Sequence, residues 1–173
     1  MDIEHIYSGN PLDRGDVERR DEEWISDSAR DSKSKFLMFK DQEVLILDGG
    51  NPSLAWVSVQ DLDFLHPFDG EPVFLGLLHG ISHFAVDVSL HKLESCDFIV
   101  DKKIGSRFSD LRSITDFINQ SDLGIAAQAK SQIDWHRRNR FCGSCSGETV
   151  MKRGGQVREC SKCSQLNYAR TDP

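Results

Sequence analysis

The sequence predicts an α+β protein in which a mixed sheet and a helical hairpin are followed by a small ribbon built on four cysteines. Three observations support this class. The first hundred residues contain short apolar runs separated by turn residues, which is typical of strands. Residues 108–139 carry apolar residues at helical spacing. Two Cys-x-x-Cys pairs then follow, with 14 residues (146–159) between them.

The first part of the chain, residues 1–107, is predicted to form the sheet domain. It opens with a polar stretch in which a short helix is expected around residues 17–26. The apolar runs that follow predict strands at 35–39, 43–47, 54–59, 72–78 and 83–88. A stretch rich in Gly, Asn and Pro after residue 47 indicates a turn. We expect an antiparallel or mixed sheet of five or more strands.

A helical hairpin is predicted over residues 108–139. Ser109 is a suitable N-cap for a helix over about 110–119, and Ser121 for a helix over about 122–138. The apolar positions expected on the inner faces are Leu111, Ile114, Phe117, Ile118, Ile125, Ala126, Ala129 and Ile133. Trp135 is expected to anchor the junction with the segment that follows.

The cysteine pairs are the most specific motif. Their members are Cys142, Cys145, Cys160 and Cys163. Each two-residue spacer lets one turn present two thiolates, and two such turns complete a tetrahedral Zn²⁺ site. We therefore predict a zinc ribbon over residues 140–168, with strands near 148–152 and 157–159. Because protein would supply all four ligands, the zinc is expected to be structural. The alternative is two disulfides or free thiols.

Composition and charge restrict the classes further. No apolar run reaches the ~18–20 residues of a membrane span, and the N-terminus resembles no secretory signal, so a reducing, cytoplasmic compartment is expected. Cys96 is expected to be a partly buried apolar residue. The net charge of −7 is uneven, because residues 136–173 hold 8 basic and 3 acidic residues. These cations either offset the zinc thiolates or attract phosphate-bearing ligands.

Motifs for catalysis are not evident. The histidines show no metal-ligand spacing, and each is expected to be structural: His5, His66, His79, His83, His91 and His136. Nucleotide-binding glycine motifs and the nucleophile elbow are absent from the sequence. The acidic run 21–23 is interpreted as a solvated helix face. The basic run 136–140 could contact nucleic acid, but a solvated helix end is the more common role of such a run.

The chain nevertheless resembles a known family. The residues that carry the resemblance are Trp135-His136, Phe141-Cys142-Gly143, Gly155, Arg158 and the exit Tyr168-Ala169-Arg170-Thr171-Asp172-Pro173. Weaker matches upstream are Leu12-Asp13-Arg14, Arg20-Asp21, Trp24-Ile25, Phe74-Leu75-Gly76, Phe84-Ala85-Val86-Asp87 and Asp110-Leu111-Arg112. Together they are similar to the N-terminal region and zinc ribbon of the NADH pyrophosphatases in the Nudix hydrolase superfamily.

The resemblance implies a Nudix-like fold for residues 1–107, a homodimer, and an enzyme that cleaves NAD(H) to nicotinamide mononucleotide and AMP. It also implies possible removal of NAD caps from RNA. Family members use Mg²⁺ or Mn²⁺ on a glutamate-bearing Nudix box. That box is absent from these residues, so residues 169–173 would begin the missing catalytic domain. No catalytic residue is assigned, and the chain alone is expected to be inactive. Tyr168 matches an aromatic residue that can face the nicotinamide; the alternative is a hydrophobic plug under the ribbon.

Two departures from the family pattern lie in the ribbon region. Ala169 stands where proline is usual, and Ser146 stands where glycine is usual, with glycine one position later at Gly147. Neither change removes a ligand. The main alternative function is a non-enzymatic zinc ribbon that binds nucleic acid or protein through Arg137, Arg138, Arg140, Lys152, Arg153 and Arg158. A third is a structural dimerisation module.

Overall fold

A mixed sheet covered on both faces by helices forms the body of the molecule, and a three-stranded ribbon follows it. The computed structural model describes residues 5–62, 71–89 and 105–169. The predictions for His66, His91, Cys96 and the exit residues 170–173 concern residues outside these ranges. Within them, no helix combines the length and the apolar composition needed to cross a membrane.

Within the described ranges, the large sheet contains seven strands. They are β1 (Lys35–Lys40), β2 (Glu43–Leu47), β3 (Ser53–Leu54), β4 (Trp56–Val57), β5 (Val73–Leu78), β6 (Ile81–Asp87) and β7 (Ser106–Ser109). The main path runs β3-β2-β1-β6-β5, with β4 paired to β1 and β7 to β2. The β1–β6 pair is parallel, and the other pairs are antiparallel. The prediction of an α+β protein with a mixed sheet is therefore confirmed.

The alternation of side chains along β1 divides the core in two. Leu37 and Phe39 lie in the cluster that packs against α3 (Gln120–Arg138), whereas Phe36 and Met38 lie in the cluster that packs against α1 (Glu22–Arg30). Successive strand residues point to opposite faces, so a run that is apolar throughout is required for a strand buried on both sides.

The helices begin at different residues from those predicted. Asp21 caps α1 by accepting hydrogen bonds from the N–H groups of Glu23 and Trp24, so the helix begins at Glu22. The preceding residues, Glu18–Arg20, form a separate 3₁₀ turn. Asn119, not Ser121, caps α3, because its side chain accepts the Asp122 N–H. Asparagine is at least as good an N-cap as serine.

The first arm of the predicted helical hairpin is also different. Residues 106–109 form β7, and Ser109 is buried in it opposite Val44. Asp110 then caps only a 3₁₀ helix (Leu111–Ile114). The predicted strand 54–59 is interrupted in the same way, since Ser58 and Asp61 form a capping box that starts α2 (Val59–Leu62). Both errors arise from short polar side chains that bind nearby backbone.

The N-terminal segment is held against the sheet at a bulge in β5. Gly76 has φ +148, and a Cβ atom there would lie 2.2 Å from the carbonyl oxygen of Asp13. Asp13 pairs with Leu77 through two backbone hydrogen bonds of 2.9 and 2.7 Å. Only glycine permits this close approach of the two chain segments.

The ribbon consists of β8 (Thr149–Lys152), β9 (Val157–Cys160) and β10 (Leu166–Tyr168), all antiparallel in the order β10-β9-β8. The first two strands agree with the sequence prediction, and a 3₁₀ turn (Arg153–Gly155) connects them. The third strand was not predicted, because a run of three residues is too short for an alternating pattern to be recognised.

Candidate metal centre and its junction with the sheet

The four cysteines are presented by two similar turns. In the first, Cys142 N–H donates to Gly147, and Ser146 N–H donates to the carbonyl of Cys142, both at 2.8 Å. In the second, Cys160 N–H donates to Gln165, and Ser164 N–H returns to the carbonyl of Cys160. Each turn therefore points two sulfur atoms toward the other turn, as a spacer of two residues allows.

The sulfur atoms form one compact cluster. All four Sγ atoms lie within 4.8 Å of one another. The Cys142–Cys163, Cys145–Cys160 and Cys145–Cys163 separations are 3.7, 3.5 and 3.4 Å. These are too long for a disulfide bond of about 2.05 Å. A tetrahedron with Zn–S bonds of about 2.3 Å has sulfur–sulfur edges of about 3.8 Å, so the cluster has close to the dimensions that zinc requires.

The hydrogen bonds around the sulfurs suit thiolates. The N–H groups of Ser144 and Lys162 donate to Cys142 and Cys160, both at 3.4 Å. Backbone donors of this kind, first from Ser144, lower the pKa of the Cys142 thiol to about 6. A hydrogen bond to the charged form favours ionisation. This donor set is the one expected of a thiolate metal site.

Cys145 behaves differently from Cys142. The N–H of Gly147 lowers the pKa of Cys145, but the sulfurs of Cys163 and Cys160 outweigh it and raise this pKa to about 12. Several thiolates in contact repel one another, so one keeps its proton unless a cation balances the charge. The cluster therefore has the chemistry of a site that a soft divalent cation completes.

Gly147 is held in place by close packing beside the cluster. A Cβ atom on it would lie 2.8 Å from the Lys162 Cβ and 3.1 Å from the Cys160 sulfur. Ser146, by contrast, adopts φ +58, a left-handed conformation that costs L residues energy. Relative to the family pattern, glycine stands one position later, at Gly147, where the close packing beside the sulfur atoms leaves no room for a side chain. The strained backbone conformation is therefore adopted by Ser146.

A neutral histidine connects α3 to the ribbon. His136 Nε2 lies 2.9 Å from the Gly155 carbonyl, and its Nδ1 lies 3.0 Å from the Arg158 guanidinium. Arginine can only donate, so Nδ1 accepts and Nε2 carries the hydrogen. Burial, followed by the charge of Arg158, lowers the pKa of His136 to about 4. Arg158 also donates to the hydroxyl and carbonyl of Thr149.

Arg19 connects three parts of the fold, and sequence reasoning missed it. This side chain is 3% exposed and donates to the carbonyl oxygens of Phe74, Leu75, Arg14 and Gly154. Its guanidinium also lies 4.8 Å from the centre of the Phe74 ring. Desolvation and then Arg14 lower the pKa of Arg19 to about 10, which leaves it charged at neutral pH. Lone arginines in a polar N-terminal segment carry no sequence signal for this role.

Tyr168 lies at the end of β10 on the outer face of the ribbon. It is 51% exposed, and its neighbour Leu166 on the same strand face is 40% exposed. Strand pairing places Phe141 and Val150 on that face as well, both exposed. About half of the Tyr168 side chain is therefore open to solvent, whereas Val157, which lies opposite it in the strand pair, is buried.

One of the six basic residues of the nucleic-acid alternative is committed to contacts within the protein. Arg137, Arg138 and Arg140 are exposed, but Arg158 is 9% exposed and is committed to Thr149 and His136. Arg138 forms an ion pair with Asp134. The alternative thus loses one of its six proposed contacts.

The fold and the cysteine cluster together define a mixed-sheet domain linked to a ribbon whose four cysteines could hold a metal ion. A family profile described as "NADH pyrophosphatase-like rudimentary NUDIX domain" matches residues 33–135. The chain belongs to this NUDIX-like family. The matched region covers the sheet and most of α3, and the cysteine cluster lies after it.

Known relatives are similar over most of the chain. NAD-capped RNA hydrolase NUDT12 of Homo sapiens is 25% identical over 99% of this chain and 45% of its own length. Nudix hydrolase 19, chloroplastic, of Arabidopsis thaliana is 29% identical over 80% of the chain and 36% of its own length. NAD-capped RNA hydrolase NudC of Pseudomonas syringae is 30% identical over 69% of the chain and 38% of its length. The chain thus spans less than half the length of these relatives.

Proposed function

We propose that this chain is the N-terminal and zinc-ribbon part of a NAD(H) pyrophosphatase that produces nicotinamide mononucleotide and AMP. The observation that carries the proposal is the family match over residues 33–135, followed by four cysteines gathered in one cluster. NAD-capped RNA is a second substrate, which is supported by the names of the relatives. The domains are proposed as residues 1–107, 108–139 and 140–168, with residues 169–173 leading into a catalytic domain.

The zinc is proposed to be structural and to be held by Cys142, Cys145, Cys160 and Cys163. The sulfur separations support this assignment, and four protein ligands leave no position for water. Mg²⁺ or Mn²⁺ would supply Lewis-acid chemistry in the catalytic domain. A cytoplasmic location is proposed, which agrees with cysteines that form no disulfide among the described residues. A homodimer is proposed from the family resemblance.

Tyr168 is proposed to contact the nicotinamide end of the dinucleotide. Its exposure at the last position of β10 supports this role, because an accessible aromatic ring can stack on a base. In the natural gene product, Tyr168→Ala is expected to raise KM for NADH by about tenfold, since base stacking contributes about 1–3 kcal/mol. Tyr168→Phe keeps the ring and should leave KM nearly unchanged.

The test compares two preparations. NADH and NAD-capped RNA are supplied with Mg²⁺ or Mn²⁺ to the 173-residue chain and to the complete natural gene product isolated from the source. We expect products only from the natural gene product, because the 173 residues lack a Nudix box. A natural product that releases neither nicotinamide mononucleotide nor AMP would refute the proposed function. Hydrolysis by the purified 173-residue chain would refute its predicted inactivity.

A further inference from the structure

A cavity of about 550 Å³ lies where β5, the end of α3 and the ribbon meet. Its volume falls within the range of about 300–1,000 Å³ that is usual for small-molecule sites. The walls come from both the large sheet and the ribbon, so a bound molecule would contact both parts. The cavity contains neither the cysteine cluster nor Tyr168.

One wall of the cavity is basic. Arg137 is in the last turn of α3, Arg140 follows the helix, and Arg158 reaches the cavity from β9. A cation near a helix C-terminus offsets the helix dipole, which explains Arg137 but neither of the others. Arg158 uses Nε, Nη1 and Nη2 to bind Thr149 and His136. Its charge is therefore fixed in position at the cavity, while its three nitrogen atoms are committed to partners within the protein.

Another part of the lining, the acidic wall, contains Asp41 at the β1–β2 turn, Asp87 at the end of β6, and Glu71 just before β5. The charge of Glu71 acts against the lowering of the Arg158 pKa by burial, so this carboxylate lies near the basic wall. Asp87 accepts hydrogen bonds from Ser89, whose hydroxyl oxygen accepts the Asp41 N–H. Across the part of the chain that the structure describes, none of these carboxylates forms an ion pair with an arginine of the basic wall.

Apolar residues also line the cavity. Val73 and Ile133 are buried, and Met151 is half-buried and packs against the core. Methionine sulfur makes favourable contacts with aromatic rings. The lining thus combines cations, hydrogen-bond acceptors and apolar side chains.

We propose that this cavity binds a nucleoside monophosphate whose base carries an exocyclic amino group. The phosphate faces Arg137 and Arg140, because planar guanidinium groups match phosphate oxygens. The base lies on Val73, Ile133 and Met151. Its amino group donates to the acidic wall, which would repel an acceptor at the same place. This site goes beyond the proposed pyrophosphatase activity and requires no bond to be made or broken.

Binding is tested on the zinc-loaded 173-residue chain by calorimetry at physiological salt, with AMP as the probe. Three ligands act as controls: adenosine lacks the phosphate, inosine monophosphate lacks the amino group, and inorganic phosphate lacks the nucleoside. We expect saturable binding of AMP, with each control at least about tenfold weaker, since a lost charge-assisted hydrogen bond costs about that factor or more. Phosphate that binds as well as AMP would show an adventitious anion only and overturn the proposal.

The variant pair is Arg137→Gln with Arg140→Gln, compared with Arg138→Gln. All three side chains are exposed, but Arg138 does not line the cavity. The double variant should weaken AMP about tenfold or more and leave adenosine unchanged, whereas Arg138→Gln should bind like the wild type. Equal AMP affinity in the double variant and the wild type would overturn the assignment, as would the absence of saturable AMP binding by the wild type. Far-UV circular dichroism checks that each variant is folded.

Discussion

Single residues in the two cysteine turns determine how well the sulfur cluster can form. Ser146 has φ +58 where glycine would be unstrained. Ser146→Gly should therefore raise the free energy of unfolding of the zinc-loaded chain by about 0.5–1 kcal/mol, after allowance for the greater freedom of glycine in the unfolded state. Urea denaturation measures the change.

The control for this substitution is Ser144→Gly. Ser144 is not among the positive-φ residues, so glycine there only adds unfolded-state entropy. The control should be neutral or destabilising. A Ser146→Gly variant no more stable than Ser144→Gly would contradict the assignment of strain to Ser146.

Gly147 provides the opposite case, in which an added side chain should be harmful. A methyl group there would lie 2.8 Å from the Lys162 Cβ and 3.1 Å from the Cys160 sulfur, so one cysteine turn must shift. We expect Gly147→Ala to lower zinc affinity by about tenfold or more, since changes next to metal ligands commonly cost 10–100-fold. Competition with a chromogenic chelator gives the affinity.

Gly143→Ala is the matched control, because no atom lies within 4 Å of the added carbon. It should bind zinc like the wild type. If both alanine variants bind zinc equally well, the turns are more adaptable than their packing indicates.

At the scale of elements, the sequence predicted the interiors of strands and helices better than their ends. The apolar runs of β1, β2, β5 and β6 were recognised because a strand buried on both faces needs nearly every residue to be apolar. The helix caps were not recognised, because the choice between Asn119 and Ser121 depends on which side chain reaches a backbone N–H that has no partner within the helix. The cysteine spacing predicted the candidate metal site. It did not predict Arg19 and His136, whose hydrogen bonds connect the ribbon turn to the rest of the fold.

The junction between α3 and the ribbon should respond to pH through His136. Its folded pKa of about 4 lies below the unfolded value near 6.5, so the unfolded state binds the proton more readily. The stability contributed by neutral His136 is thus complete above pH 6.5 and is lost as pH falls from 6.5 to 4. The loss amounts to at most about 3 kcal/mol.

This pH effect is isolated by comparing the wild type with His136→Gln. Protonation of the cysteines at low pH affects both proteins, so only the difference between their stability–pH curves reports on His136. The wild-type curve should be the steeper between pH 6.5 and 4. Parallel curves would show that His136 does not titrate in this range.

Arg19 is expected to join the N-terminal segment, β5 and the ribbon turn. Arg19→Ala would remove this donor from the carbonyls of Phe74 and Leu75. Leu75 keeps Gln128 as a donor, but a buried acceptor that loses its partner costs about 1–3 kcal/mol. We predict a loss of about 2–3 kcal/mol in the free energy of unfolding. Arg20→Ala is the neighbouring exposed control and should cost under about 0.5 kcal/mol. Equal effects of the two substitutions would contradict the connecting role of Arg19.

For the whole molecule, the arrangement of the cores implies that the ribbon and the sheet have different sources of stability. The two core clusters are built from the large sheet and its helices, and Met151 is the ribbon side chain that packs against the first cluster among the residues described. The turn glycines Gly154 and Gly155 lie against Phe74 and Val73. The two cysteine turns lie before β8 and between β9 and β10, so we expect the order of the ribbon strands to depend on a bound metal and that of the sheet not to.

Removal of zinc should therefore unfold one part of the molecule and spare the other. After a chelator is added, amides of β8, β9 and β10 should lose protection from hydrogen exchange, while those of β1 and β6 keep it, since local unfolding follows cooperative units. Peptide-resolved mass spectrometry distinguishes the two regions. The Cys142→Ser variant should reproduce the pattern without chelator, because three thiolates bind zinc more weakly than four. Loss of protection in β1 and β6 would show that the sheet also depends on the metal, and unchanged protection in the ribbon would refute the metal's structural role.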